Sequence, residues 1–202
     1  MTEKIIAKDR RKRLGEIVEA SSTIVTTQCY DLYEAPPLGS LISSGEDNTT
    51  YGIVCEVTTQ SIDPSRRIIT RGQDEDTEEQ VYLNNPQLAR LLLTEFKALL
   101  VGHKVNHVIH RSLPPLPPRI HSFVYHCDNE ETQLFSSSLE FLPLLLSTHR
   151  EAIDDVITAF INQASQYHDD PMEFLVYAGK ELAILFNGQL QRLNNALRRL
   201  VP

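Results

Sequence analysis

Residues 14 to 72 constrain this chain more than any other stretch. Leu14-Gly15-Glu16-Ile17-Val18, Leu38-Gly39-Ser40-Leu41-Ile42 and Tyr51-Gly52-Ile53-Val54-Cys55-Glu56-Val57-Thr58-Thr59 are short apolar runs, each with a glycine near its start. In the third run Tyr51, Ile53, Cys55 and Val57 fall on one side, and Gly52, Val54, Glu56 and Thr58 on the other. That is the two-residue period of a strand. Ile24–Cys29 is β-branched and rich in threonine, which suits a pleated surface. Gly45-Glu46-Asp47-Asn48 supplies a turn, and Pro64 and Gly72 close the run. Short strands at close spacing predict a small antiparallel β-barrel.

The chain has 202 residues, 41% hydrophobic and 23% charged, enough for one large domain or two small ones. Its formal charge of -8 argues against general affinity for nucleic acid, where phosphate neutralisation supplies most of the binding. Cys29, Cys55 and Cys127 are odd in number and far apart, which fits a reducing cytoplasm better than a disulfide framework. Residues 1 to 13 carry charges but no apolar core of a signal peptide. The apolar stretch 139 to 146 is broken by Glu140 and Pro143, so no membrane span is expected.

Residues 1 to 13 form a basic arm: Lys4, Lys8, Arg10, Arg11, Lys12 and Arg13 outweigh Glu3 and Asp9. Such an arm is either a solvated tail or a contact for an acidic surface. Five acids between 73 and 80 read as a solvated loop. Asn85-Pro86 reads as a helix start, and Leu88, Leu92, Phe96 and Leu99 recur at helical spacing, predicting a helix over 85–101 that stops at Gly102. Residues 104 to 110 can return to the barrel as a strand. The barrel unit is therefore placed at 14–112.

Leu113-Pro114-Pro115-Leu116-Pro117-Pro118-Arg119 is polyproline in character and contains P-x-x-P-x-R, a spacing that an SH3 groove accepts. We read 113–119 as a stiff linker and a domain boundary. Beyond it, 120–202 reads as mainly helical, so the fold class is α+β. Ile153, Val156, Ile157, Phe160, Ile161 and Ala164 form a helical stripe. Asp170-Pro171-Met172-Glu173 caps a helix that is apolar nearly all round and ends near Gly188. A last helix is expected to place Leu190, Leu193, Leu197 and Leu200 inside and Arg192, Arg198 and Arg199 outside.

Motifs for chemistry are missing from the sequence. There is no G-x-x-x-x-G-K-[ST], G-x-G-x-x-G, G-x-S-x-G or H-E-x-x-H. Cys55 alternates onto the apolar side of its strand and reads as core. His103, His107 and His110 would share a face on a helix and could then hold zinc. On a strand His103 and His107 share one face and His110 the other, so surface histidines are the expectation. No catalytic, cofactor-binding or metal-binding residue is assigned, and the chain is not expected to be an enzyme.

The strands at 14–18, 38–42 and 51–59 resemble the HAS barrel, the small N-terminal barrel shared by HerA-type DNA translocases and the catalytic-ring subunits of rotary ATP synthases. The chain as a whole looks like the stand-alone HAS-barrel proteins of cyanobacteria. The stretches that carry the likeness include Tyr51-Gly52-Ile53-Val54, Thr59-Gln60-Ser61-Ile62-Asp63-Pro64, the proline run with Ile120-His121, and Ala178-Gly179-Lys180-Glu181-Leu182-Ala183. In the ring ATPases such barrels pack side by side, and nucleotide binds in a separate P-loop domain. No P-loop occurs here, so the resemblance transfers no catalytic residue. It implies an interaction or assembly protein that docks on a larger complex, with a ring ATPase or a DNA-processing machine as the candidate partner, and it is compatible with a homo-oligomer. Arg10, Arg11, Arg13, Arg192, Arg198 and Arg199 are the expected partner-binding residues. The alternative is a nucleic-acid-associated factor that uses the same arm and C-terminal arginines.

Overall fold

A computed structural model describes residues 12–45, 49–148 and 151–200. Among them, seven strands form one antiparallel sheet: β1 (Arg13–Ala20), β2 (Ile24–Cys29), β3 (Leu41–Ser44), β4 (Thr50–Ser61), β5 (Leu92–Val105), β6 (Val108–His110) and β7 (Phe123–His126). The helices are α1 (Glu78–Asn84), α2 (Leu88–Leu91), α3 (Asn129–Ser136), α4 (Leu142–Leu146), α5 (Ile153–Ser165), α6 (Pro171–Leu185) and α7 (Leu190–Leu197). The strand order is β2-β1-β7-β3-β4-β5-β6, and β2 also pairs with β5, so the pairings run in a ring-like cycle with β6 as an appendage. The class is α+β, with the helices mostly C-terminal.

Period-two alternation builds two cores from the same strands. Ile17, Val25, Ile42, Val54, Phe96, Ala98, Leu100 and Val124 gather on one face, contributed by every strand of the cycle. On the opposite face, Leu41, Tyr51, Ile53, Cys55, Leu99 and Val101 pack with the helices through Phe135, Phe141, Phe160 and Leu182. Aromatic rings carry this second core from sheet to helix. Tyr51 meets Phe135 at 5.0 Å, Phe135 meets Phe141 at 5.1 Å, and Phe141 meets Phe160 edge-on at 5.3 Å.

The segment 85–101 corrects the sequence expectation of one helix. Thr77 caps α1 with a reciprocal Gln80 bond, and Asn85 ends that helix instead of starting one. Only the short α2 intervenes before β5. Burial explains the misreading. β5 is covered on both faces over residues 98 to 101, so its sequence is a continuous apolar run with no visible alternation. Leu92, Phe96 and Leu99 match a helical period only by chance. The reading of 73–80 as a loop is corrected at its end by the same cap, since Glu78 and Glu79 form the first turn of α1.

The region 120–202 is mainly helical, as expected, but β7 follows the prolines and joins the sheet. It pairs with β1 on one side and β3 on the other. The proline run therefore spans two parts of one sheet. It is tied back through Ile17, whose N–H donates to the Ser122 carbonyl at 3.0 Å and whose carbonyl accepts from the His121 N–H at 2.9 Å. β7 has four residues, two of them buried, too few for a pattern to stand out from the sequence alone.

Helix α5 locks onto the sheet at Gly39. There the backbone has φ +84, and a Cβ would lie 2.6 Å from the Phe160 backbone nitrogen. Gln163 holds the same turn, donating to the Leu38 carbonyl at 2.7 Å and accepting from the Ser40 hydroxyl at 3.0 Å. Left-handed backbone and a contact this close both demand glycine. Gly39→Ala is expected to cost about 1–3 kcal/mol and to lower Tm by about 4–10 °C in a thermal melt followed by circular dichroism. A melt unchanged within error would show that the turn does not bear on α5.

Candidate interaction surface

The C-terminal helices decide where the predicted partner arginines go. α5 opens with Asp154 and Asp155, acids that its N-terminus favours. Arg192 of α7 grips Asp154 with a two-bond fork, Nε to Oδ2 at 2.8 Å and Nη2 to Oδ1 at 2.6 Å. Its guanidinium also lies 4.4 Å from the Phe186 ring centre. Arg199 reaches Asp155 at 2.6 Å, and its carbonyl accepts from Asn162 at 2.8 Å. Arg198 is exposed at the end of α7. Arg13 stands in β1 with its guanidinium 3.8 Å from the Phe123 ring centre. Arg10 and Arg11, with most of the basic arm, lie outside the described residues.

This pairing turns α7 relative to the sequence expectation. Arg192, Ala196 and Arg199 share the side that meets α5, and Ala196 is the buried residue of the helix. Of the four leucines expected inside, Leu193 and Leu200 are partly buried and pack on the helical core, whereas Leu190 and Leu197 are 74% and 39% exposed. Arg192 and Arg199 tie the C-terminal end to α5 at two points seven residues apart. The complementary Asp-Asp and Arg spacing was the available sequence signal.

Part of what remains outside is apolar. On α6, Met172 and Val176 are 54% and 51% exposed, and Ile184 is 69% exposed. Gly179 lets α7 come close, since a Cβ there would touch Leu197 at 3.3 Å. Val176, Gly179 and Ala183 share one side of α6, so the apolar strip continues onto Leu197 and then Leu190. Met172, Val176, Leu197 and Leu190 thus form a ridge across two helices, a kind of surface that marks interaction sites.

The other candidate chemistries have structural roles. His103 and His110 face each other across β5 and β6 and stack at 5.1 Å, while His107 sits in the hairpin turn with φ 65. Asn106 beside it has φ 50, so both turn residues take the left-handed backbone that a tight hairpin needs. Among the described residues no group of three His, Cys, Asp or Glu side chains is placed to hold a metal ion. Burial pushes the Cys29 thiol up to about 11, and all three cysteines are buried.

Ser136 and His168 form a serine–histidine pair at 2.8 Å. The buried Ser136 hydroxyl donates to the Thr132 carbonyl at 2.7 Å and lies 2.8 Å from His168 Nε2. His168 lies flat on Phe174 at 4.0 Å between the rings, and burial holds its pKa below the ordinary 6.5. The pair therefore fastens α3 to the turn between α5 and α6.

Arg192→Ala is expected to lower stability by about 1 kcal/mol once solvent screening of the partly exposed pair is allowed for, and Arg198→Ala to leave it unchanged. Denaturant melts of the two variants would separate them. His168 stays neutral in the folded chain at pH values where the unfolded chain binds a proton. Stability linked to it is therefore complete above pH 6.5 and falls as the pH drops below that value. His168→Gln should shrink the Tm difference between pH 7.5 and pH 5.5; an undiminished difference would remove His168 as its source.

Comparison with protein-family models matches none of them, and no curated protein sequence matches the chain.

Proposed function

We propose that this chain is a non-enzymatic assembly or accessory protein that docks on a larger complex through its C-terminal helices. The observation that carries the reading is the exposed ridge of Met172, Val176, Leu190 and Leu197, held in place by arginines that face inward onto α5. A helix pair that engages Arg192 and Arg199 on its own acids and leaves Leu190 and Leu197 in solvent is arranged for an apolar partner. The HAS-barrel resemblance makes a ring ATPase or a DNA-processing assembly the class of partner to look for, and the ring-like strand cycle is compatible with it. The alternative, a nucleic-acid-associated factor, has less support: two of its three C-terminal arginines are engaged by Asp154 and Asp155.

The test is affinity purification of the full chain from its native host with quantitative mass spectrometry, run in parallel on wild type and on the Val176→Glu, Leu190→Glu double variant. Recovery of the specific partners should fall by about tenfold or more in the variant, with an unchanged circular dichroism melt. Equal recovery would remove the ridge as the docking surface. If capture instead depends steeply on salt and is lost on nuclease treatment, the nucleic-acid reading takes its place.

A further inference from the structure

The proline run does more than connect two parts of the sheet. It arches over the ends of β3, β5 and β7 and closes one wall of a cleft of about 640 Å³. That volume lies within the range of small-molecule sites. The opposite wall is formed by Ser44, Thr50, His103 and Lys104, and Tyr125 also lines the cleft. The proline wall is pre-organised and poor in N–H donors, because proline fixes its own backbone angle and carries no N–H. Hydrogen bonds to a ligand must therefore come from the sheet side and the rim.

The sheet side and rim are basic. His103, Lys104, Arg119 and His121 line the cleft, and no Asp or Glu among the described residues does so. This occurs in a protein whose formal charge is -8. Among the described residues neither the Lys104 ammonium nor the Arg119 guanidinium has an acidic partner, unlike Arg192 and Arg199. Glu16, the carboxylate beside His121, is already occupied: Tyr30 donates to it at 2.8 Å and His121 Nδ1 lies 2.9 Å from it. His121 is held there with φ 66, a strained backbone for a residue with a side chain.

A second, independent feature lies in the wall. Ser44 is 2% exposed, and its hydroxyl is buried without a hydrogen-bond partner. An unmatched buried hydroxyl is costly and calls for an explanation. Thr27 and Thr132 carry buried hydroxyls in the same condition, and Ser44 is the one of the three that lines the cleft.

We infer that the cleft beneath the proline run binds a phosphate-bearing small molecule, with Lys104 and Arg119 holding the phosphate and Tyr125 and the prolines packing against its carbon skeleton. Unpaired lysine and arginine with hydroxyls nearby are the chemistry of phosphate recognition, and the mixed apolar wall favours an organic phosphate over a free inorganic ion. The inference does not depend on the helical docking ridge, which lies on other elements.

The test is isothermal titration calorimetry of the full chain with three probes: AMP, ribose 5-phosphate and inorganic phosphate. The expected result is saturable one-to-one binding of an organic probe with a Kd below about 1 mM. Lys104→Gln and Arg119→Gln should each weaken it by about tenfold, and Arg198→Gln, which alters an exposed arginine outside the cleft, should leave it unchanged. Circular dichroism melts check that all three variants fold. Inorganic phosphate binding as tightly as the esters would overturn the organic-phosphate assignment. No saturable binding of any probe, or equal weakening by all three variants, would overturn the site.

Discussion

Double burial of the β4–β5 pair is the constraint on which the rest of the structure depends. Ile53 and Val54 are neighbours in sequence, yet each is fully buried, one on the helix side and one on the ring side. Leu99 and Leu100 repeat this arrangement on the partner strand. A strand buried on both faces cannot stand at a surface, so the helices must cover one side and the remaining strands must curl over the other. The ring-like pairing of β2 with β5 and the seating of α5 on β4 are two consequences of the same demand for burial.

Polar groups fix the details that apolar packing leaves open. Gln163 sets the 38–40 turn against α5, and the Leu139 N–H is satisfied by the Tyr177 hydroxyl of α6 at 3.2 Å. Arg192 and Arg199 set the rotation of α7. Leu193 and Leu200 pack partly on the core while Leu190 and Leu197 stay outside, so the exposed ridge uses part of the leucine set.

On the proposed reading, function divides between two ends of the molecule. The helical end offers the exposed Met172, Val176, Leu190 and Leu197. The proline end offers basic groups and a pre-shaped cleft. The serine–histidine pair of Ser136 and His168 joins α3 to the turn between α5 and α6, and the three cysteines are buried.

By itself the sequence determined the strands of the first half and the principal helices of the second. Ile24–Cys29 and the alternation from Tyr51 are visible because a local repeat encodes them, as are the stripe of α5 and the Asp170 cap of α6. The tertiary structure alone decided β5, β7 and the facing of α7. β5 is hidden because burial on both sides erases alternation, and β7 because four residues hold too little pattern. The rotation of α7 depends on Asp154 and Asp155, which lie 38 and 44 residues from the arginines they hold. The cleft is equally nonlocal, since Ser44, Lys104 and Arg119 come together only when the sheet brings its strand ends beneath the prolines. Local periodicity records which side of an element is apolar; what covers that side is settled by contacts distant in sequence.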